Sequence, residues 1–159
     1  MNYLCENNCR IQRAIYAIRA IREESSTDVP FAYAGSCAMF LHGIPLNRLI
    51  HDVDIMVDDK FLYSTFTERL LASKHLTTKI GKYPDGMIIK VQHITCPTIR
   101  VDIMFVKDFY KKVEAVNHPL RYGLVATLDN LVEVKTKWDR PKDQKDIQCI
   151  ALFRKMQAL

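Results

Sequence analysis

Two short apolar runs carry carboxylates where a core strand ordinarily has none, and this constrains the chain more than any other feature. Asp52-Val-Asp54-Ile-Met-Val57 alternates acids with β-branched residues, and Val101-Asp102-Ile-Met-Phe105 sets a single acid among apolar neighbours. Alternate side chains of a strand share a face. Asp52 and Asp54 therefore stand side by side while Val53, Ile55 and Val57 enter the core. Two carboxylates that close raise one another's pKa unless a cation neutralises them. Asp102, on a comparable strand, completes a trio, and such a trio suits Mg²⁺, which takes a few carboxylates together with substrate phosphates. The plainer reading of Asp52 and Asp54 is an acidic, solvent-exposed edge strand. A calcium loop fails on residue type, because its sixth position is Val57 rather than Gly and its twelfth is Tyr63 rather than Glu.

Upstream, Phe31-Ala-Tyr-Ala-Gly35-Ser36 reads as a short strand ending in a Gly-Ser turn. Helix N-termini present free N–H groups and a positive dipole end, which together bind phosphate. Glycine lets the backbone approach closely, and the Ser36 hydroxyl adds a donor. On its own the turn is better explained by a relieved bend and a helix cap. The combination of turn, same-face acid pair and third acid carries the weight.

At 159 residues and 48% hydrophobic content, the chain makes one domain, 1–159, with a core of useful size. No apolar run approaches the ~20 residues that span a bilayer, and the first residues lack a leader's charged-then-apolar layout. Five scattered cysteines, an odd number, indicate reduced thiols in a cytoplasmic protein rather than a disulfide framework. Cys5 and Cys9 share a helix face but lack partners for a zinc site. A formal charge of +5 permits a polyanionic partner. Arg10, Arg13, Arg19 and Arg22 spread around the first helix and read as solvated surface.

The apolar spacing predicts a helix over roughly 8–23, a strand at 31–34 and a short helix at 36–42. A loop at 43–48 leads to the Asp52 strand, and a further helix covers 59–73, capped by Asp58 and Asp59. Strands at 87–94 and 99–106 flank Pro97 and follow a turn at 82–86. From Thr127 the chain is helical, with a last helix after Pro141. This mixture gives an α+β domain with a mixed sheet. The five histidines form no ligand motif, and only His51 is placed to line a pocket. Trp138 reads as packing at a helix junction, and Arg140, Asp143 and Asp146 as a fastening between the last helices.

Taken together, Gly35-Ser36, Asp52-x-Asp54 and the later Asp102 resemble the signature of the nucleotidyltransferases of the DNA polymerase β superfamily. His42-Gly43 and Arg48-Leu-Ile-His-Asp52 resemble a run found in small bacterial and phage members, with Ile50 in place of a usual Thr. Lys135-Thr-Lys-Trp-Asp-Arg140-Pro-Lys-Asp143-Gln-Lys-Asp146-Ile resembles a helix pair of the AbiEii/MenT-type toxin-antitoxin nucleotidyltransferases. The resemblance covers roughly 31–150. It implies a polymerase β-like fold with a core at about 31–106 and C-terminal helices at about 127–157.

The resemblance also implies roles. Asp52, Asp54 and Asp102 would be the catalytic, metal-binding acids for Mg²⁺ or Mn²⁺, with Asp102 nearest the acceptor hydroxyl. Gly35 and Ser36 would hold the β- and γ-phosphates of an NTP, helped by Arg48 and Lys135. Asp146 would orient Lys135 or meet the base or sugar. The reaction implied is transfer of NMP to a hydroxyl of RNA (tRNA), a protein or a small molecule. A domain this small leaves acceptor binding to a partner protein or a second copy in a homodimer. Two alternatives stand beside it: a binding or antitoxin module that has the fold without catalysis, and a metal-dependent nuclease of D…ExK type. The nuclease requires Glu133 and Lys135 on a strand, whereas Leu128, Leu131 and Val132 step as a helix.

Overall fold

The computed structural model describes residues 3–25, 28–83, 86–94, 100–116 and 123–159. Ile11, Ala14, Ile18 and Ile21 recur at helical spacing and are buried along α1 (Tyr3–Ser25). This helix starts at Tyr3, five residues before the start at residue 8 that the apolar spacing predicts. The start of the helix, with Leu4 and Cys5 exposed, leaves no periodic signal, yet it carries Asn7, which is fully buried. Next come β1 (Phe31–Tyr33), α2 (Gly35–Leu41) and β2 (Asp52–Asp58).

The helix expected over 59–73 is broken. A 3-10 turn at Asp59–Phe61 precedes α3 (Thr65–Ala72). The Phe61 carbonyl accepts from the hydroxyls of Ser64 at 2.6 Å and Thr67 at 2.9 Å, which closes the first turn and starts the second. The Asp58 side chain caps the 3-10 turn, accepting from the Lys60 N–H at 3.1 Å. Then follow β3 (Leu76–Tyr83), β4 (Gly86–His93), β5 (Arg100–Val106), β6 (Val113–Ala115), β7 (Leu124–Ala126), α4 (Leu128–Trp138) and α5 (Pro141–Gln157). Pro84, Asp85, Cys96, Pro97, Ile99 and His118 lie outside the described residues.

The strands form one mixed sheet in the order β3-β4-β5-β2-β1-β7-β6. β2 sits in the middle, parallel to β5 and antiparallel to β1, so the edge-strand reading of its acids fails. The β2–β5 register pairs Val53 with Val101, Ile55 with Ile103 and Val57 with Phe105 on one face, all buried. The opposite face pairs Asp52 with Arg100, Asp54 with Asp102 and Met56 with Met104. Among the described residues no helix is long and apolar enough to cross a membrane.

Candidate active site

Strand register assembles the acids. Asp54 and Asp102 are direct partners on adjacent parallel strands, and antiparallel β4 places Lys90 opposite Asp102. The turn after β1 rests on the same strand, because the Ala34 N–H donates to the Asp54 carbonyl at 2.8 Å. Gly35 follows in the left-handed region, at φ +54°, and a β-carbon there would collide with the Asp54 carboxylate. Only glycine meets both demands. The Gly-Ser turn and the acid pair are thus one built unit.

Asp54 is pushed up to about 6 by burial, then by the charges of Asp102 and Asp52, against the pull of Lys135 and Lys142. The cationic partners of the trio are side chains. Arg100 pairs with Asp52 and also reaches Asp102, its Nε 3.2 Å from Oδ1. Lys90 Nζ donates to the other oxygen of Asp102 at 3.0 Å. Asp102 is only 5% exposed, and its Oδ1 is buried without accepting a hydrogen bond. Hard oxygen ligands side by side, one of them a buried acceptor left unused, fit a divalent cation in kind. In the present side-chain placement, however, no three acids, histidines or cysteines among the described residues close on one point tightly enough to hold an ion.

A second cluster stands across the cleft. Arg48 Nη2 donates to the Ser36 hydroxyl at 2.7 Å and to Asp146 Oδ2 at 2.7 Å. Lys135 Nζ donates to that same Asp146 oxygen at 2.7 Å and lies 3.7 Å from Asp143. Asp143 in turn takes Arg140 Nε at 2.6 Å and the Arg140 N–H at 3.2 Å, and these contacts hold its carboxyl below the usual carboxylate range despite burial. The loop carrying Arg48 is tied to α1. Asn7 Nδ2 donates to the Arg48 carbonyl at 3.0 Å, and its Oδ1 accepts from the Ile50 N–H at 2.8 Å.

One cleft is lined by Gly35, Ser36, Arg48, Asp52, Asp54, Asp102 and Lys135 together, and His51 and Trp138 also line it. Asp146 stands behind this wall, holding Arg48 and Lys135. Sequence reading did not single out Lys90, Arg100, Lys142 or Asn130, which line the cleft as well. Lys90 and Arg100 had a readable signal, since each is a cation on a strand beside an acidic one; their register, set by long-range pairing, was not readable. The Arg140 guanidinium stacks on Trp138, 4.5 Å from the ring centre. Glu133 and Lys135 lie on a helix, and Glu133 is exposed, pairing with Lys137 at 2.8 Å. The arrangement the nuclease needs is absent.

The whole chain was compared with known proteins. It aligns with the crystal structure of "a putative nucleotidyltransferase (TM1012) from Thermotoga maritima", with a TM-score of 0.52 and 15% identity over 92% of this chain and 94% of that one. The chain has a nucleotidyltransferase fold. No protein-family profile matches it, and no curated protein does. At this identity the likeness speaks for the fold alone. The Gly-Ser turn against Asp54, the register of Asp54 with Asp102, and the basic wall are properties of this chain's own nucleotidyltransferase scaffold.

Proposed function

We propose that the protein transfers a nucleoside monophosphate from an NTP to a hydroxyl acceptor. One observation carries this reading: the Gly35-Ser36 turn packs directly on Asp54, so a place for phosphates and a cluster of carboxylates share one cleft. Six basic residues, Arg48, Lys90, Arg100, Lys135, Arg140 and Lys142, line that cleft against four aspartates, which favours a polyanionic substrate.

In this mechanism Ser36, Arg48 and Lys135 bind the β- and γ-phosphates. Arg48 and Lys135 are already fixed by their shared hold on Asp146, so little ordering remains when phosphate arrives. Asp52, Asp54 and Asp102 would hold Mg²⁺ or Mn²⁺, which when bound neutralises triphosphate charge and lowers the pKa of the attacking hydroxyl. The buried acceptor oxygen of Asp102 takes up the hydroxyl proton. The acceptor oxygen bonds to the α-phosphorus, the bond to the bridging oxygen breaks, and pyrophosphate leaves against Arg48 and Lys135. Positioning and charge supply most of the rate in such transfers.

The likeness of Lys135–Ile147 to the AbiEii/MenT-type helix pair supports a toxin-antitoxin setting, with RNA (tRNA), a protein or a small molecule as the hydroxyl acceptor. Among the described residues Cys5, Cys9, Cys37 and Cys149 stand outside disulfides, which supports a cytoplasmic setting. A second reading, a nucleotide-binding module without transfer, is favoured by Arg100 occupying Asp52. Incubation with Mg²⁺, each α-³²P-labelled NTP and total tRNA separates the two. Label in RNA, lost in Asp52→Ala and Asp54→Ala, supports transfer; NTP binding without any labelled product supports the module.

A further inference from the structure

We propose that Arg100 is a counter-ion lock on the metal-ligand carboxylates, and that the triphosphate of an incoming nucleotide releases it. The inference rests on the nucleotide-binding reading of the cleft and goes beyond it by fixing the order in which the site is filled.

The observations are geometric. Arg100 opens β5 directly opposite Asp52 on β2, and its guanidinium spans two acids, pairing with Asp52 and reaching Asp102 at 3.2 Å. A planar guanidinium presents separated N–H groups, so Nη2 faces Asp52 while Nε faces Asp102. Lys90 holds the remaining Asp102 oxygen at 3.0 Å. Asp52 and Asp102 therefore already have cationic partners, and a divalent ion has to compete with Arg100 for Asp52. Asp102 Oδ1, buried and accepting no hydrogen bond, marks the locked state as incompletely satisfied. Arg100 Nε faces that oxygen at 3.2 Å as an ion pair without a formed hydrogen bond, so the contact is one that a better-placed ligand can replace.

Arg100 is also able to leave. Its side chain is 43% exposed, whereas that of Asp102 is 7% exposed, so the cation can turn without disturbing the core. Both residues line the cleft shared with Ser36, Arg48 and Lys135. A triphosphate there offers Arg100 a stronger bidentate partner than a single carboxylate oxygen. Turning toward phosphate frees Asp52 at the moment the nucleotide brings its own negative charge. Metal and nucleotide then load together, and free metal alone loads poorly.

Binding of Mn²⁺ alone, followed by the electron paramagnetic resonance signal of the free ion, tests the lock without any activity measurement. The wild type is expected to bind Mn²⁺ weakly, and at least about tenfold more tightly once a non-hydrolysable ATP analogue is present. Arg100→Gln is expected to bind Mn²⁺ without nucleotide about tenfold more tightly than the wild type. Arg100→Lys, which keeps the charge but loses the separated N–H groups that face Asp52 and Asp102, is expected to lie between them. Asp52→Asn is expected to remove the gain from Arg100→Gln, and circular dichroism confirms that each variant is folded. Arg100→Lys equal to the wild type reduces Arg100 to a distant charge and overturns the lock. Wild type binding Mn²⁺ alone as tightly as Arg100→Gln overturns it also. Transfer activity is scored separately, so an unlocked Mn²⁺ site without transfer contradicts only the transferase reading.

Discussion

At the scale of single residues, Gly35 and Asp54 have to be considered together. A side chain at Gly35 meets both a left-handed φ and the Asp54 carboxylate. Gly35→Ala is therefore expected to lose at least about a hundredfold in kcat/KM, because an ~1 Å displacement of a reacting group costs that much. Thermal unfolding of the same variant should show a loss of about 1–3 kcal/mol from backbone strain. Asp54 carries a signature of its own. Its pKa is raised from 3.8 to about 6, so the folded chain keeps this proton to higher pH than the unfolded chain does. The stability it contributes is present below about pH 4 and lost as pH rises through about 6. In chelator, Asp54→Asn should match the wild type near pH 4 and exceed it at pH 8 by up to about 3 kcal/mol, measured by urea denaturation at each pH.

At the scale of elements, the pieces that position the cleft differ in how readable they are. β2 and β5 announce themselves, because strand parity separates Asp52 and Asp54 from Val53 and Ile55 and the structure keeps that separation. α4 and α5 follow the apolar steps of Leu128, Leu131 and Ile150. β3 escapes notice because Thr77, Lys79 and Ile80 at the sheet edge are all exposed and leave no alternation. β6 and β7 are three residues each, too short for any period. The start of α1 hides Asn7 in the same way, although its carboxamide ties the Arg48 loop to the helix. Asn7→Ala leaves the Ile50 N–H without its partner and should cost about 1–3 kcal/mol in chemical denaturation. The same variant should raise the KM for NTP more than it lowers kcat, since it loosens Arg48. Glu133→Ala, on the exposed face of α4, should shift stability by no more than about 0.5 kcal/mol and leave transfer unchanged. Loss of activity in that variant would bring the nuclease reading back.

At the scale of the molecule, the seven strands and five α-helices of the described residues build this cleft from residues far apart in the chain. β1 and α2 bring the Gly-Ser turn, the centre of the sheet brings the acids, and α4 with α5 brings Lys135 and Asp146. Spacing in the sequence singled out the turn and the acids, and the family resemblance singled out Lys135 and Asp146, but only the sheet order brings them together. Register also added what spacing alone did not yield, the cationic partners Lys90 and Arg100 that hold the acids in check. The central claim is that this cleft moves the α-phosphoryl group of an NTP and releases pyrophosphate. Parallel reactions with α-³²P- and γ-³²P-labelled NTP, Mg²⁺ and total RNA measure that directly. The account predicts α-label in the acceptor and γ-label in pyrophosphate, both abolished by Asp52→Ala with Asp54→Ala. γ-Label in the acceptor, or label transfer that survives the double substitution, would contradict it.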